Sequence, residues 1–170
     1  MKVDGAAYRS IWLSDDGVTV QVIDQTLLPH RFAVRPLATL ADAEQAIKTM
    51  IVRGAPLIGA TAAYGMALAM SAATSDTMLQ EAHGRLLAAR PTAVNLRWAL
   101  DEMTAVLRPL APEQRKQAAD KRAAAICEED VALNRAIGEH GLTLIRAIAA
   151  RKSANAPINI MTHCNAGALA

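Results

Sequence analysis

The sequence predicts an α+β fold: a small antiparallel sheet, then a helical region, with one strand of the parallel-sheet kind near the far end. Three observations carry this. Short β-prone runs crowd the first 37 residues. From Thr39 onward apolar residues recur at helical spacing. Finally, "INIMTHC" reads as a strand buried on both faces. The 170 residues are 52% hydrophobic but only 3% aromatic, and an alanine-rich apolar set favours close-packed helices over a β-sandwich.

Each element follows from local chemistry. "YRSIWLSDDGVTVQVIDQ" holds two β-prone runs around Asp15-Asp16-Gly17, a hairpin signal. "RFAVRPL", residues 31–37, adds a third strand that Pro36 is expected to end. Thr39 and Asp42 form a capping-box pattern, with Ala43, Ala46, Ile47, Met50 and Ile51 at helical spacing behind it. "RGAP" interrupts, and Pro56 suits the first turn of a new helix. That helix, to about Ala73, is apolar almost all round and is expected to be central, not a membrane span. Ser75 opens the next, with Met78, Leu79, Ala82 and Leu86 inward. Thr92 is expected to cap a fourth, whose inner face is Leu96, Ala99, Leu100, Met103 and Leu107. Pro112 starts a long polar-faced helix through Ala119, Ala123 and Ile126, where Gly138 and Gly141 are possible interruptions. "ARKSANAP", residues 150–157, reads as a linker between a domain over 1–150 and what begins at 151–170.

Composition narrows function. The net charge of +2 is spread along the chain, which fits no nucleic-acid groove. "MKVDGAAYRS" has no apolar core and is no signal peptide. Cys127 and Cys164 lie far apart in unlike contexts, as expected of reduced thiols in a cytoplasmic protein. His30, His83 and His140 have no ligand partners at metal-binding spacing, and there is no Walker loop or GxGxxG.

Three groups could carry chemistry. In a strand, His163 and Cys164 point to opposite faces and form no dyad. The strand instead delivers Cys164 to the turn Asn165-Ala166-Gly167, where a helix start would favour its thiolate. Position alone also fits a small buried hydrophobe. In "RGAP", Gly54 permits an unusual backbone angle and free N–H groups before Pro56 could bind an anion, with Arg53 adding a charged donor. An ordinary interhelix turn with a solvated arginine fits as well. Arg90 stands before "PTAVN", either beside a second helix start or simply at a helix C-terminus. Of the rest, "EED" at 128–130 reads as a solvated face, Cys127 as core, and Asp24-Gln25 as structural hydrogen-bonders.

Taken together, "VIDQTLLP", "IVRGAPLIGATAAYGMALA", "RPTAVNLRWALDEM" and "MTHCNAGALA" resemble, in order and spacing, the methylthioribose-1-phosphate isomerase family. Its wider relatives include ribose-1,5-bisphosphate isomerases and regulatory subunits of a translation-initiation exchange factor. The resemblance covers all 170 residues but about half the family's usual length. It implies an N-terminal domain, a Rossmann-like C-terminal domain, and an active site between them. It places the phosphate-binding residues at Arg53, Gly54 and Ala55, the second phosphate-side arginine at Arg90, and the active-site cysteine at Cys164. It also implies a cytoplasmic homodimer of methionine salvage, acting on a phosphosugar without cofactor or metal. The family more often has threonine where Ala166 stands. Its catalytic aspartate lies beyond Ala170.

The far-end strand raises one more expectation. A doubly buried strand needs neighbours on both edges, and no other parallel-type strand is evident. The chain is therefore expected to be the first half of a longer isomerase. Residues from about 150 onward would pair with a further polypeptide segment or be misplaced and mobile, and 1–170 alone would be inactive and prone to associate.

Overall fold

The computed structural model describes residues 2–153 and 156–162. The first element is a minimal hairpin, β1 (Lys2–Val3) paired antiparallel with β2 (Ala6–Ala7). Its two-residue turn places Asp4 at φ 49° and Gly5 at φ 84°, the positive values that such turns require.

A three-stranded antiparallel sheet follows in the order β3 (Ile11–Leu13), β4 (Val20–Ile23), β5 (Val34–Leu37). The β3–β4 turn is built by Asp16. Its carboxylate accepts from the Val18 N–H and the Thr19 N–H, each at 2.8 Å, and from the Thr19 hydroxyl at 2.6 Å. Those bonds, Thr19's hydroxyl foremost, hold the Asp16 carboxyl below its ordinary range. Pro36 does not end the third strand. It lies within β5 opposite Gln21. β5 is an edge strand, where a missing N–H can face away from the ladder.

Five helices complete the described fold: α1 (Leu40–Lys48), α2 (Ala55–Ala72), α3 (Asp76–Ala89), α4 (Val94–Leu107) and α5 (Pro112–Ala149). The capping box forms as expected. The Asp42 N–H donates to the Thr39 hydroxyl at 3.2 Å, and the Thr39 N–H donates back to the Asp42 carboxylate at 2.9 Å. α1 is shorter than its apolar spacing suggested. It stops at Lys48, Met50 turns to φ 61°, and Val52 re-enters the core. Ser75 caps α3 through the Met78 N–H. Thr92 does not cap α4; the cap is Ala93, with no side-chain bond. Gly138 and Gly141 do not break α5, which runs unbroken for 38 residues. Their propensity cost of about 1 kcal/mol each does not end the helix, although neither glycine is packed against another element.

α2 has the length and apolar character of a membrane span, yet it is the core helix, buried from Leu57 to Met70. α1, α3, α4, α5 and β3 all pack on it. Two glycines permit that closeness. A methyl group at Gly59 would sit 2.9 Å from the Asn95 carbonyl oxygen of α4, and one at Gly65 would meet Ala43 and Leu86 at 3.0–3.1 Å. Gly59→Ala is therefore expected to lower stability by about 1–2 kcal/mol despite alanine's better helix propensity. Urea unfolding of the two proteins checks this, and a more stable variant would contradict the close approach.

Arg115 is buried where α3, α4 and α5 meet. Its guanidinium donates to the carbonyls of Leu110 at 3.1 Å, Thr74 at 2.9 Å and Arg108 at 3.4 Å, and pairs with Asp76 at 2.6 Å.

The core-facing part of α5 ends near Ile126; beyond it, Val131, Leu133, Ile137, Leu144 and Ile148 are exposed. The strand expected at 157–164 does not form over its described part. Residues 156–162 carry no strand, and Ile160 and Met161 are 71% and 98% exposed. No neighbouring strand among the described residues takes up its N–H and C=O groups, and without one an extended segment has no ladder to join. Residues 163–170 lie outside the described residues.

Candidate functional site

The start of α2 is assembled by the loop before it. Gly54 is the helix N-cap, with φ 98° and ψ 133°, a conformation that disfavours any residue with a Cβ. Pro56 occupies the first turn. Because Gly54 offers no side-chain cap, the N–H groups of Gly54, Ala55 and Leu57 take no partner among the described residues. Arg53, immediately before, is exposed, and its guanidinium has no carboxylate partner among the described residues. Free N–H groups, the positive end of an 18-residue helix and an unpaired cation together make a setting for an anion.

The loop hangs from the end of β4. Asp24 is buried and accepts from the Thr26 N–H at 3.0 Å, the Thr26 hydroxyl at 2.5 Å and Arg35 at 2.9 Å. Burial alone would raise its carboxyl, but these bonds outweigh burial and hold it below the ordinary range. Gln25, also buried, donates its backbone N–H to the Ile51 carbonyl at 2.9 Å and its side-chain amide to the Arg53 carbonyl at 3.3 Å. The reading of this pair as structural hydrogen-bonders is thus correct, and their target is the Arg53–Gly54 turn.

Arg90 is half-buried at the C-cap of α3, and its carbonyl accepts from the Ala93 N–H at 3.1 Å. Its guanidinium too has no partner among the described residues. The Gly59–Asn95 approach brings the first turns of α2 and α4 together. Arg53 and Arg90 each precede one of these helix starts. No direct contact joins the two arginines. Cys164 lies outside the described residues, so its place relative to this turn is not defined.

Two adjoining clefts flank the start of α2, sharing Pro56 and Asp130. One, of about 230 Å³, is lined among others by Arg9, Ile11, Leu57 and Cys127. The other, of about 320 Å³, lies against Gly59, Asn95, Trp98 and Leu133. A third cleft, of about 250 Å³, lies at the opposite end of α4 beside His83 and Arg108, and none of the three is lined by Arg53, Gly54, Ala55 or Arg90. The "EED" segment is divided in its roles. Glu128 pairs with Arg9 and Glu129 with Arg122, while half-buried Asp130 faces both clefts. Burial raises the Asp130 carboxyl, against a bond from Asn134 that lowers it. Spacing could have revealed this, since Asp130 lies four residues from inward-facing Ile126.

Cys127 packs against the core as expected. Burial, then the nearby Glu128 carboxylate, pushes its thiol up to about 11. Burial, then Cys127, pushes the bonded Tyr64 hydroxyl up to about 12. At pH 8 the neutral thiol dominates over the reactive thiolate. Cys127 is therefore expected to resist iodoacetamide under conditions that modify a free cysteine fully. Mass spectrometry of the Cys127 peptide reads this out, and rapid modification would contradict the burial.

Residues 51–170 match the Initiation factor 2 subunit family. The whole chain is 61% identical to a methylthioribose-1-phosphate isomerase of Paramagnetospirillum magneticum, covering 46% of that relative's length. It is 54% identical over 174 residues to an uncharacterised protein in the petC 3′ region of Rhodospirillum rubrum, covering 95% of it. Among solved structures, the 5-methylthioribose 1-phosphate isomerase of Pyrococcus horikoshii is similar with a TM-score of 0.67 and 33% identity, over 74% of this chain and 37% of that one. The translation initiation factor eIF-2B subunit delta from A. fulgidus is similar with a TM-score of 0.73 and 35% identity, over 81% and 42%. The chain thus spans about half the length of the curated isomerases it matches.

Proposed function

The chain belongs to the Initiation factor 2 subunit family, and from that membership we propose that it serves an aldose–ketose isomerase converting methylthioribose 1-phosphate to methylthioribulose 1-phosphate. The observation that carries this reading is the start of α2, where the free N–H groups of Gly54, Ala55 and Leu57 stand beside unpaired Arg53. The chemistry needs a fixed phosphate. Because the phosphate sits on the anomeric oxygen, the sugar cannot open as a free aldehyde. The ring oxygen must gain a proton, the C2 hydrogen must move to C1, and the C2 hydroxyl must lose its proton as C2 becomes the ketone. Arg53, Gly54, Ala55 and Arg90 hold the phosphate, so that binding energy is spent on orienting C1 and C2.

In this reading residues 1–150 are the N-terminal domain, and residues 151–170 lead into a Rossmann-like domain that carries Cys164 to C1 and C2. There the thiol shuttles a proton or steadies the charged intermediate. The enzyme works in the cytoplasm as a homodimer on its phosphosugar, with no cofactor or metal.

A second reading, a non-catalytic subunit, is favoured by the likeness to the A. fulgidus factor. One experiment separates them. Protein expressed from its complete coding region is mixed with methylthioribose 1-phosphate and followed by proton NMR. Loss of the anomeric signal with growth of the ketose C1 protons is expected. No conversion, with the sugar phosphate still bound, would favour the subunit reading.

A further inference from the structure

We infer that Gln25 is a positioning residue for the phosphate turn; the inference rests on the phosphate reading of Arg53 and Gly54. The Arg53 carbonyl and the Gly54 N–H belong to one trans peptide unit, in which they point in opposite directions. Whatever anchors that carbonyl therefore aims that N–H. The anchor is the side-chain amide of Gln25, at 3.3 Å.

The anchor is itself held. Gln25 is only 8% exposed, and its backbone N–H is bonded to the Ile51 carbonyl two residues upstream in the same loop. Its neighbour Asp24 is fixed by Thr26 and Arg35. Without the amide, the 53–54 peptide is free to rotate. Gly54 resists rotation less than any other residue, because it has no Cβ to restrict its backbone. The permissive residue that lets the turn form thus needs an external restraint, and Gln25 supplies it. The Gln25 side chain does not touch the substrate in this scheme; it sets where the Gly54 N–H and the Arg53 side chain point.

The test uses protein expressed from its complete coding region, with inorganic phosphate as a competitive probe. Gln25→Met keeps length and bulk but has no donor. Gln25→Asn keeps the amide one carbon too short to reach, and serves if the first variant folds poorly. Either is expected to raise KM for methylthioribose 1-phosphate and Ki for phosphate about tenfold, with kcat within threefold of the parent. A purely structural role would instead lower kcat with the folded fraction and leave KM and Ki alone; that result overturns the inference. Arg53→Ala, measured in parallel, separates the two layers. If it raises the phosphate Ki while both Gln25 variants do not, the positioning role alone is wrong. If none of the three moves Ki, the phosphate reading fails and the inference falls with it.

Discussion

Replacing Arg53 by alanine is expected to weaken use of methylthioribose 1-phosphate by roughly 10- to 150-fold in KM. A charge-assisted hydrogen bond or bidentate pair to phosphate is worth about 1.5–3 kcal/mol, and each 1.4 kcal/mol is about tenfold. Arg53 has no competing partner among the described residues, so little of that interaction is spent elsewhere. The dephosphorylated sugar provides the control. Its binding is expected to change less than twofold, because the lost contact is to phosphate alone. Equal losses for both sugars would mean that Arg53 acts through folding. The same comparison applies to Arg90, whose guanidinium is likewise unpaired among the described residues.

The second large effect concerns stability. Arg115→Ala is expected to cost about 3 kcal/mol, since it strips a donor from three backbone carbonyls at once. Two of those carbonyls, of Arg108 and Leu110, lie just past the end of α4, where helical partners run out. Most of the cost comes from these carbonyls. The Asp76 partner is well exposed and its ion pair is screened by water. For a chain of this size, Tm should fall by roughly 6–12 °C. Arg115→Lys should recover only part, because one ammonium cannot reach what a planar fork reaches. A loss below about 1 kcal/mol in Arg115→Ala would show that water replaces the guanidinium.

Much of this fold was legible because local chemistry and tertiary packing agree. Thr39–Asp42, Asp16–Gly17 and the unbroken apolarity of α2 each state their structure within a few residues. Legibility failed where a distant partner decides. Thr92 is a better cap than Ala93 by propensity, but the chain enters α4 one residue later. The Asp4–Gly5 turn carries a weak signal, because only two residues flank it on each side in its ladder. At the candidate site, the turn at Arg53–Gly54 is visible in "RGAP", whereas the bond to the Arg53 carbonyl comes from a glutamine 28 positions earlier. No local pattern reports a bond of that span. Asp130 was hidden in a different way, since a run of three acids looks like solvated surface until the helix face is worked out.

The length of α5 has a mechanical consequence. From Ile126, its last buried side chain, to Ala149, the helix continues for 23 residues, or about 34 Å at 1.5 Å per residue. Among the described residues, only the stretch of α5 up to Ile126 places buried side chains in the core. A tilt of about 5° near Ile126 swings the tip by about 3 Å, the difference between a hydrogen bond made and one lost over that arm. Residues 150–153 and 156–162 ride on that tip, and the stretch near Ile126 is the one that faces the start of α2. By geometry alone, a small rotation of α5 near Ile126 corresponds to a much larger displacement at Ala149.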